Sequence, residues 1–222
     1  MIKHHPSLII LGQFARGELH ASLAVAVAAH VELCPCCQST VKQFEQMHAE
    51  FELGAEANSV NTSFDAWEDE FGDVLDTITS DESRDEVVLV PATSLHYQNR
   101  QVHLPKVLAH LPRSEFMQLG KIARARFTLE DDNWRTSLLH IAPGGEIPNH
   151  THTGQELTLL LDGEFSDEFG HYVAGDFILL DGEHHHTPRT ENGCLCLTVV
   201  NSALHFNKGL SKLLNPIGDL IY

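Results

Sequence analysis

Positive charge is scarce in this chain. Its 222 residues include 14 Lys and Arg against 31 Asp and Glu, a formal net charge of -17. Such an acidic surface is repelled by phosphate, which excludes DNA or an anionic membrane as the main partner. A basic protein would instead be attracted. Long apolar runs are also missing: the best candidate, "LAVAVAA", is far below the roughly 18 residues that span a bilayer. The opening "MIKHHPSLIILGQF" lacks a full hydrophobic region and a small-residue cleavage site, so it does not read as a signal peptide. A cytoplasmic location is expected, where thiols stay reduced and disulfides are disfavoured. There is no low-complexity segment, no internal repeat and no six-histidine run.

Histidine, by contrast, is plentiful. The chain has 16 His and five Cys. They cluster as His4 and His5, as Cys34, Cys36 and Cys37, as His150 and His152, and as His184, His185 and His186. Histidine clustered with Cys or Glu points to metal.

Residues 1–53 read as helical. Leu8, Leu11 and Ala15 recur at helical spacing, and Gly17 ends that helix. "HASLAVAVAAHVEL" predicts a second helix. Val41, Phe44, Met47 and Phe51 mark a third, which Gly54 is expected to stop. Phe64, Trp67, Phe71, Leu75 and Ile78 then lie on one face of a fourth, with Thr62 and Asp65 as a capping box. Its other face is acidic. From Glu45 to Glu86 there are fourteen acidic residues against Arg84 alone, which is -13 of the -17. Beyond a boundary near residues 81–95 the pattern changes to short alternating runs such as "ARARFTL" and "LTLLLDGEF", parted by "PGG", "DG" and "EFGHYVAGD". That is the signature of an all-β sandwich or barrel.

His30, Cys34 and Cys37 follow the spacing H-x3-C-x2-C. His30 would lie in the last turn of the second helix. Pro35 disfavours helix at Cys34 but suits the first position of the next one. Cys34 is thus a natural N-cap, with Cys37 one turn in on the same side. Both sulfurs would sit near a helix N-terminus, which favours thiolate. A tetrahedral zinc site needs a fourth ligand, and His5 or His4 is the nearest candidate. A thioredoxin-type redox motif is disfavoured because no strand precedes it, and Cys36 points away.

The N-terminal "HH" with "HVELCPC" between helices resembles the zinc-binding anti-sigma factors, and more closely their cytoplasmic ChrR-like members, which add a cupin domain. The resemblance implies zinc ligands His5, His30, Cys34 and Cys37. The second half agrees. "GGEIPNHTHTGQELTLLLDG" fits the cupin pattern G-x5-H-x-H-x3-E-x6-G, with Gly144, His150, His152, Glu156 and Gly163 in register. Residues two apart on a strand point the same way, so both histidines face one side. A strict count in "GDFILLDGEHHHTP" selects His185 as the next ligand, whereas the resemblance selects His186. Three His and one Glu suit zinc or another divalent metal. Cys194 and Cys196 alternate on a strand, "CLCLTVV", and read as packing.

The expected architecture is therefore α+β and multidomain. A small N-terminal bundle of three to four helices (residues 1–85) carries zinc, and an all-β cupin barrel follows (residues 86–222). The resemblance implies an anti-sigma factor that sequesters an extracytoplasmic-function sigma factor and releases it on an oxidative signal sensed by the cupin. It implies no enzymatic activity and no direct contact with nucleic acid or membrane. Phe64, Trp67, Phe71 and Leu75 are the candidate partner-binding residues. The alternative is a metal-dependent cupin enzyme, such as a dioxygenase, with an accessory domain.

Overall fold

Apolar spacing near 3.6 residues before position 81 and near two after position 93 separates the elements of this computed structural model. It describes residues 1–56, 64–83, 93–97, 100–131, 133–152, 154–202 and 204–206, with only the backbone path at 55–56, 64–70, 100, 152 and 204–206. Four helices come first: α1 (Leu8–Ala15), α2 (Ala21–Leu33), α3 (Pro35–Glu56) and α4 (Phe64–Ser80). Ser7 caps α1, its hydroxyl accepting from the Ile10 N–H at 3.3 Å. Gly17, at φ 70°, supplies the left-handed residue that ends it. Cys34 has extended backbone angles, and its carbonyl accepts the Gln38 N–H at 3.0 Å, as an N-cap does. The third helix runs past Gly54 to Glu56. A single helical glycine costs only about 1 kcal/mol and does not by itself stop a helix. Thr62 of the expected capping box lies outside the described residues.

The rest is β with one short helix. In chain order it comprises β1 (Ser94–Tyr97), β2 (Arg100–His103), α5 (Lys106–Ala109), β3 (Met117–Leu119), β4 (Ile122–Arg126), β5 (Arg135–Ile141), β6 (His150–His152), β7 (Glu156–Ser166), β8 (His171–Val173), β9 (Phe177–Leu180), β10 (Cys194–Val200) and β11 (Leu204–Phe206). The main sheet is antiparallel, in order β3-β4-β5-β10-β7-β8, with β9 also paired to β7. Strand β6 pairs with β11, and β1 with β2. The alternating pattern predicts a β sandwich or barrel, and these antiparallel sheets agree with the cupin barrel that the resemblance implies. Gly163, at φ 79°, sits where any Cβ would run into the Gly193 carbonyl, so the close passage of β7 beside β10 requires glycine there.

Residues Met1–Phe44 and Ala92–Tyr222 form one compact unit, and Glu45–Pro91 a second. Within the first, α2 is apolar nearly all round and is correspondingly buried. Leu11, Val27, Ala29 and Val41 share a core with Leu157, Leu159, Leu195, Leu197 and Val199, from one face of the main sheet. The opposite face holds a second core around Ile141, Leu160, Phe165, Tyr172 and Ile178. Polar clasps fix the helices. Asp131 accepts the Ser22 N–H at the start of α2 at 2.8 Å, and the His20 ring lies 3.2 Å from it while stacking on Trp134 at 4.3 Å. Glu32 accepts the Lys106 N–H at the start of α5 at 2.9 Å.

Leu197 is fully buried where helices and sheet meet. Leu197→Ala should lower stability by about 3 kcal/mol in urea unfolding, through lost contacts and a cavity. Leu179→Ala, at an exposed position of β9, should cost less than about 1 kcal/mol.

Candidate metal centres

The H-x3-C-x2-C spacing places His30 in the last turn of α2 and Cys37 in the first turn of α3, across the corner made at Cys34. His30 Nε2 lies 3.3 Å from Cys37 Sγ. His5 Nδ1 lies 3.4 Å from Cys34 Sγ and 3.5 Å from Cys37 Sγ. One donor atom from each of the four falls within 4.8 Å of all the others. A four-coordinate ion with bonds of about 2.0–2.3 Å has N···S edges of about 3.5 Å, so the donor set fits a tetrahedral ion. His4 takes no part. Its ring packs on Tyr172 at a centroid distance of 5.0 Å. Cys36 is exposed.

The N-terminal segment is brought there by a turn of the barrel. Asp176, wholly buried, accepts the Lys3 and His4 N–H groups on one oxygen at 2.6 and 3.0 Å, and the Val173 N–H on the other at 2.9 Å. Burial opposes its ionisation, but these backbone donors outweigh it and hold its pKa below the usual carboxylate value. The Phe177 N–H donates back to the His4 carbonyl at 3.0 Å. Beside them the His30 Nδ1–H donates to the Gly175 carbonyl at 2.9 Å, which leaves Nε2 free to face the sulfurs. Gly175 lies against the Ile2 side chain, with no room for a Cβ.

Electrostatics here is governed by burial. His30 is pushed down to about 4, chiefly by desolvation, so it is neutral and able to ligate at ordinary pH. Cys37 is pushed up to about 12, first by desolvation and then by Cys34. The helix N-terminus does not make this sulfur a thiolate unaided; burial overrides the dipole, and a cation is what would stabilise the ionised form.

The second cluster lies in the barrel. His150 on β6, Glu156 at the start of β7, and His186 in the β9–β10 connection are all buried. His186 Nε2 lies 3.1 Å from His150 Nε2 and 3.3 Å from Glu156 Oε2. With bonds of about 2.1 Å, a shared ion would set such pairs about 3.0 Å apart in an octahedron and 3.4 Å in a tetrahedron, so either fits. His152 is also on β6, but its side chain lies outside the described residues. Among the three consecutive histidines only His186 is buried. His184 Nδ1 lies 2.7 Å from Asp181, and His185 is exposed. The β10 cysteines are buried free thiols, and Cys196 is held well above the usual thiol value by its hydrogen bond with Cys194 and by burial.

Sequence reasoning missed Asp167, Asp176 and Tyr172. Asp167 Oδ2 lies 3.0 Å from His186 Nδ1 and orients that ring. All three lie in "SDEFGHYVAGD", which reads only as turn residues between strands. Nothing in local spacing marks them.

Burial disfavours charge on His186, yet hydrogen bonds to Asp167 and Glu156 outweigh it and raise its pKa to about 9. The folded value is above the unfolded one, about 6.5. In the metal-free chain this charge therefore contributes stability that is complete below pH ~6.5 and lost as pH rises through about 9. Urea unfolding of chelator-treated protein from pH 6 to 10 should show this loss, and Asp167→Asn should flatten it. Metal uptake at this site should also release a proton at pH 7.5, measurable in weakly buffered solution.

The comparisons fit both halves. A family model described as the ChrR cupin-like domain matches residues 108–203. The anti-sigma-E factor ChrR of Cereibacter sphaeroides is 30% identical, covering 97% of each chain. The crystal structure of Rhodobacter sphaeroides SigE in complex with the anti-sigma ChrR matches at TM-score 0.65 and 27% identity, over 90% of this chain and 100% of that one. With helices, barrel and both donor clusters in the same chain, and a relative similar over nearly its whole length, this protein belongs to the family of the anti-sigma factor ChrR.

Proposed function

We propose that this chain is an anti-sigma factor that sequesters an extracytoplasmic-function sigma factor, with zinc held by His5, His30, Cys34 and Cys37. The observation that carries the reading is similarity over 97% of the chain to a ChrR protein, whose counterpart was crystallised with SigE. The role is regulatory rather than catalytic. Zinc is favoured at the first cluster because two thiolates and two imidazoles are its usual structural ligand set. His150, His152, Glu156 and His186 would hold zinc or another divalent metal in the cupin, and this second centre would sense the inducing, oxidative signal.

Residues 1–85 are the proposed sigma-binding part and 86–222 the sensor. Charge and exposure support this division. The acidic stretch Glu45–Glu86 complements a sigma factor, whose DNA-binding surface is basic. On α4, Phe71, Val74, Leu75 and Ile78 are 37, 52, 49 and 65% exposed. An amphipathic helix with that apolar stripe suits helix-in-groove binding. Phe64 and Trp67 share its sequence periodicity, although their side chains lie outside the described residues. Among the described residues no single helix is long and apolar enough to cross a membrane.

Two sets of full-length variants test the reading in a sigma-dependent reporter strain. His30→Ala or Cys34→Ala should release the sigma factor and leave its genes permanently on. His150→Ala or Glu156→Ala should keep inhibition and abolish induction. Normal induction in the second set would remove the sensing role from the cupin. In a binding assay Trp67→Ala should weaken the sigma complex by about 2 kcal/mol; unchanged affinity with an intact fold would place the partner surface elsewhere.

A further inference from the structure

The two donor clusters share one packed stretch of the compact unit, the β7–β8 hairpin and the turn after it. On the barrel side Asp167 grips His186 through Nδ1, as described above. Its other oxygen accepts the Phe169 and Gly170 N–H groups at 2.8 and 3.1 Å, and its side chain is only 1% exposed. Tyr172, 3% exposed, hydrogen-bonds to the same carboxylate. Burial first, and then the Asp167 charge, hold its phenol at about 12, so the hydroxyl keeps its proton to donate.

Tyr172 also touches the N-terminal segment. Its ring packs against both Phe165, at 4.9 Å, and His4, at 5.0 Å. The His4 backbone is tied to Asp176 and Phe177, and the next residue is His5. The same turn presents Gly175 to His30. Contacts therefore run without a break from a ligand of one centre to two ligands of the other. The links are buried or part-buried hydrogen bonds, ring contacts and the step along the chain from His4 to His5, and closely packed groups transmit displacement rather than absorb it.

Resting on the reading that both clusters bind metal, we propose that Asp167 and Tyr172 are positioning residues that couple the two centres. When the barrel site is filled, His186 must aim Nε2 at the ion, and Asp167, bound to Nδ1, takes its place from that ring. Tyr172 follows the carboxylate and sets where His4 and the 173–177 turn lie. These in turn set the placement of His5 and His30. The occupancy of the barrel site thereby changes the metal affinity of the cysteine-containing site, and by linkage the reverse holds to the same extent. Contiguity alone does not establish a coupling, so the test measures the coupling itself.

Cobalt(II) serves as the probe in full-length protein. The proposed ligand set of the first centre contains thiolates and that of the barrel does not, so thiolate-to-cobalt absorption reports the first centre. Loss or marked weakening of the band in Cys37→Ser checks that assignment. Cobalt affinity is measured with the barrel site intact and with it disabled by Glu156→Gln. The two values should differ by about tenfold, within the usual range of coupling between sites. Tyr172→Phe keeps the ring that packs against Phe165 and His4 but removes the hydroxyl. In that background the Glu156→Gln effect should shrink toward onefold, while the cobalt band and the urea midpoint stay close to wild type. Asp167→Asn should shrink the Glu156→Gln effect likewise, while lowering the urea midpoint near neutral pH through the lost His186 charge. The proposal is overturned if Glu156→Gln has no effect on the thiolate centre, or if its effect is undiminished in Tyr172→Phe. Absence of the thiolate band from the wild type would instead overturn the metal reading beneath it.

Discussion

A carboxylate without contact to water has to be satisfied by the protein, and Asp176 is satisfied by the backbone at both ends of the chain's fold. It takes N–H groups from Lys3 and His4 as well as from Val173 beside it. Leaving a buried charge unpaired would cost several kcal/mol, so this is a strong constraint on where the first residues run. The placement of His5, the access of His30 to the Gly175 carbonyl and the seating of Ile2 over Gly175 all follow from it. The cysteine-containing centre is thus completed by a turn of the barrel 145 residues away from His30.

Burial then dictates the chemistry of that centre. The same desolvation that keeps His30 neutral also keeps Cys37 protonated when no cation is present. A neutral imidazole is ready to bind metal; a thiol has first to lose its proton. Metal binding at this centre therefore has to remove a proton from Cys37 but not from His30. The barrel centre differs. There Glu156 and Asp167 hold a proton on His186, so metal competes with that proton. Two sites in one chain answer to pH through different atoms.

Charge is distributed as unevenly as the metal ligands. The second compact unit, Glu45–Pro91, coincides with the acidic stretch and carries apolar side chains in the open on α4. Exposed apolar residues in a row are unusual on a protein acting alone and are typical of a surface that meets a partner. Around the barrel, by contrast, apolar residues are consumed in two cores, one beneath the helices and one within the sheet's other face.

Much of this was legible in the sequence because it depends on neighbours a few positions apart. Helical periodicity located α1 to α4, and Pro35 after Cys34 placed the corner. The helix dipole was legible too, but its effect on Cys37 was not, because burial is a property of the folded chain. Spacing could not choose His5 over His4, or His186 over His185; within each pair the neighbours differ only in where the rest of the protein lies. Asp176 and His4 are 172 positions apart, and Asp167 and His186 are 19 apart across a hairpin and a loop. Short-range periodicity carries no information about such pairs. Packing of α1, α2 and the start of α3 against the sheet, driven by the burial of apolar surface, brought His4 to Asp176, and the bridge between Ser166 and Arg189 brought Asp167 to His186.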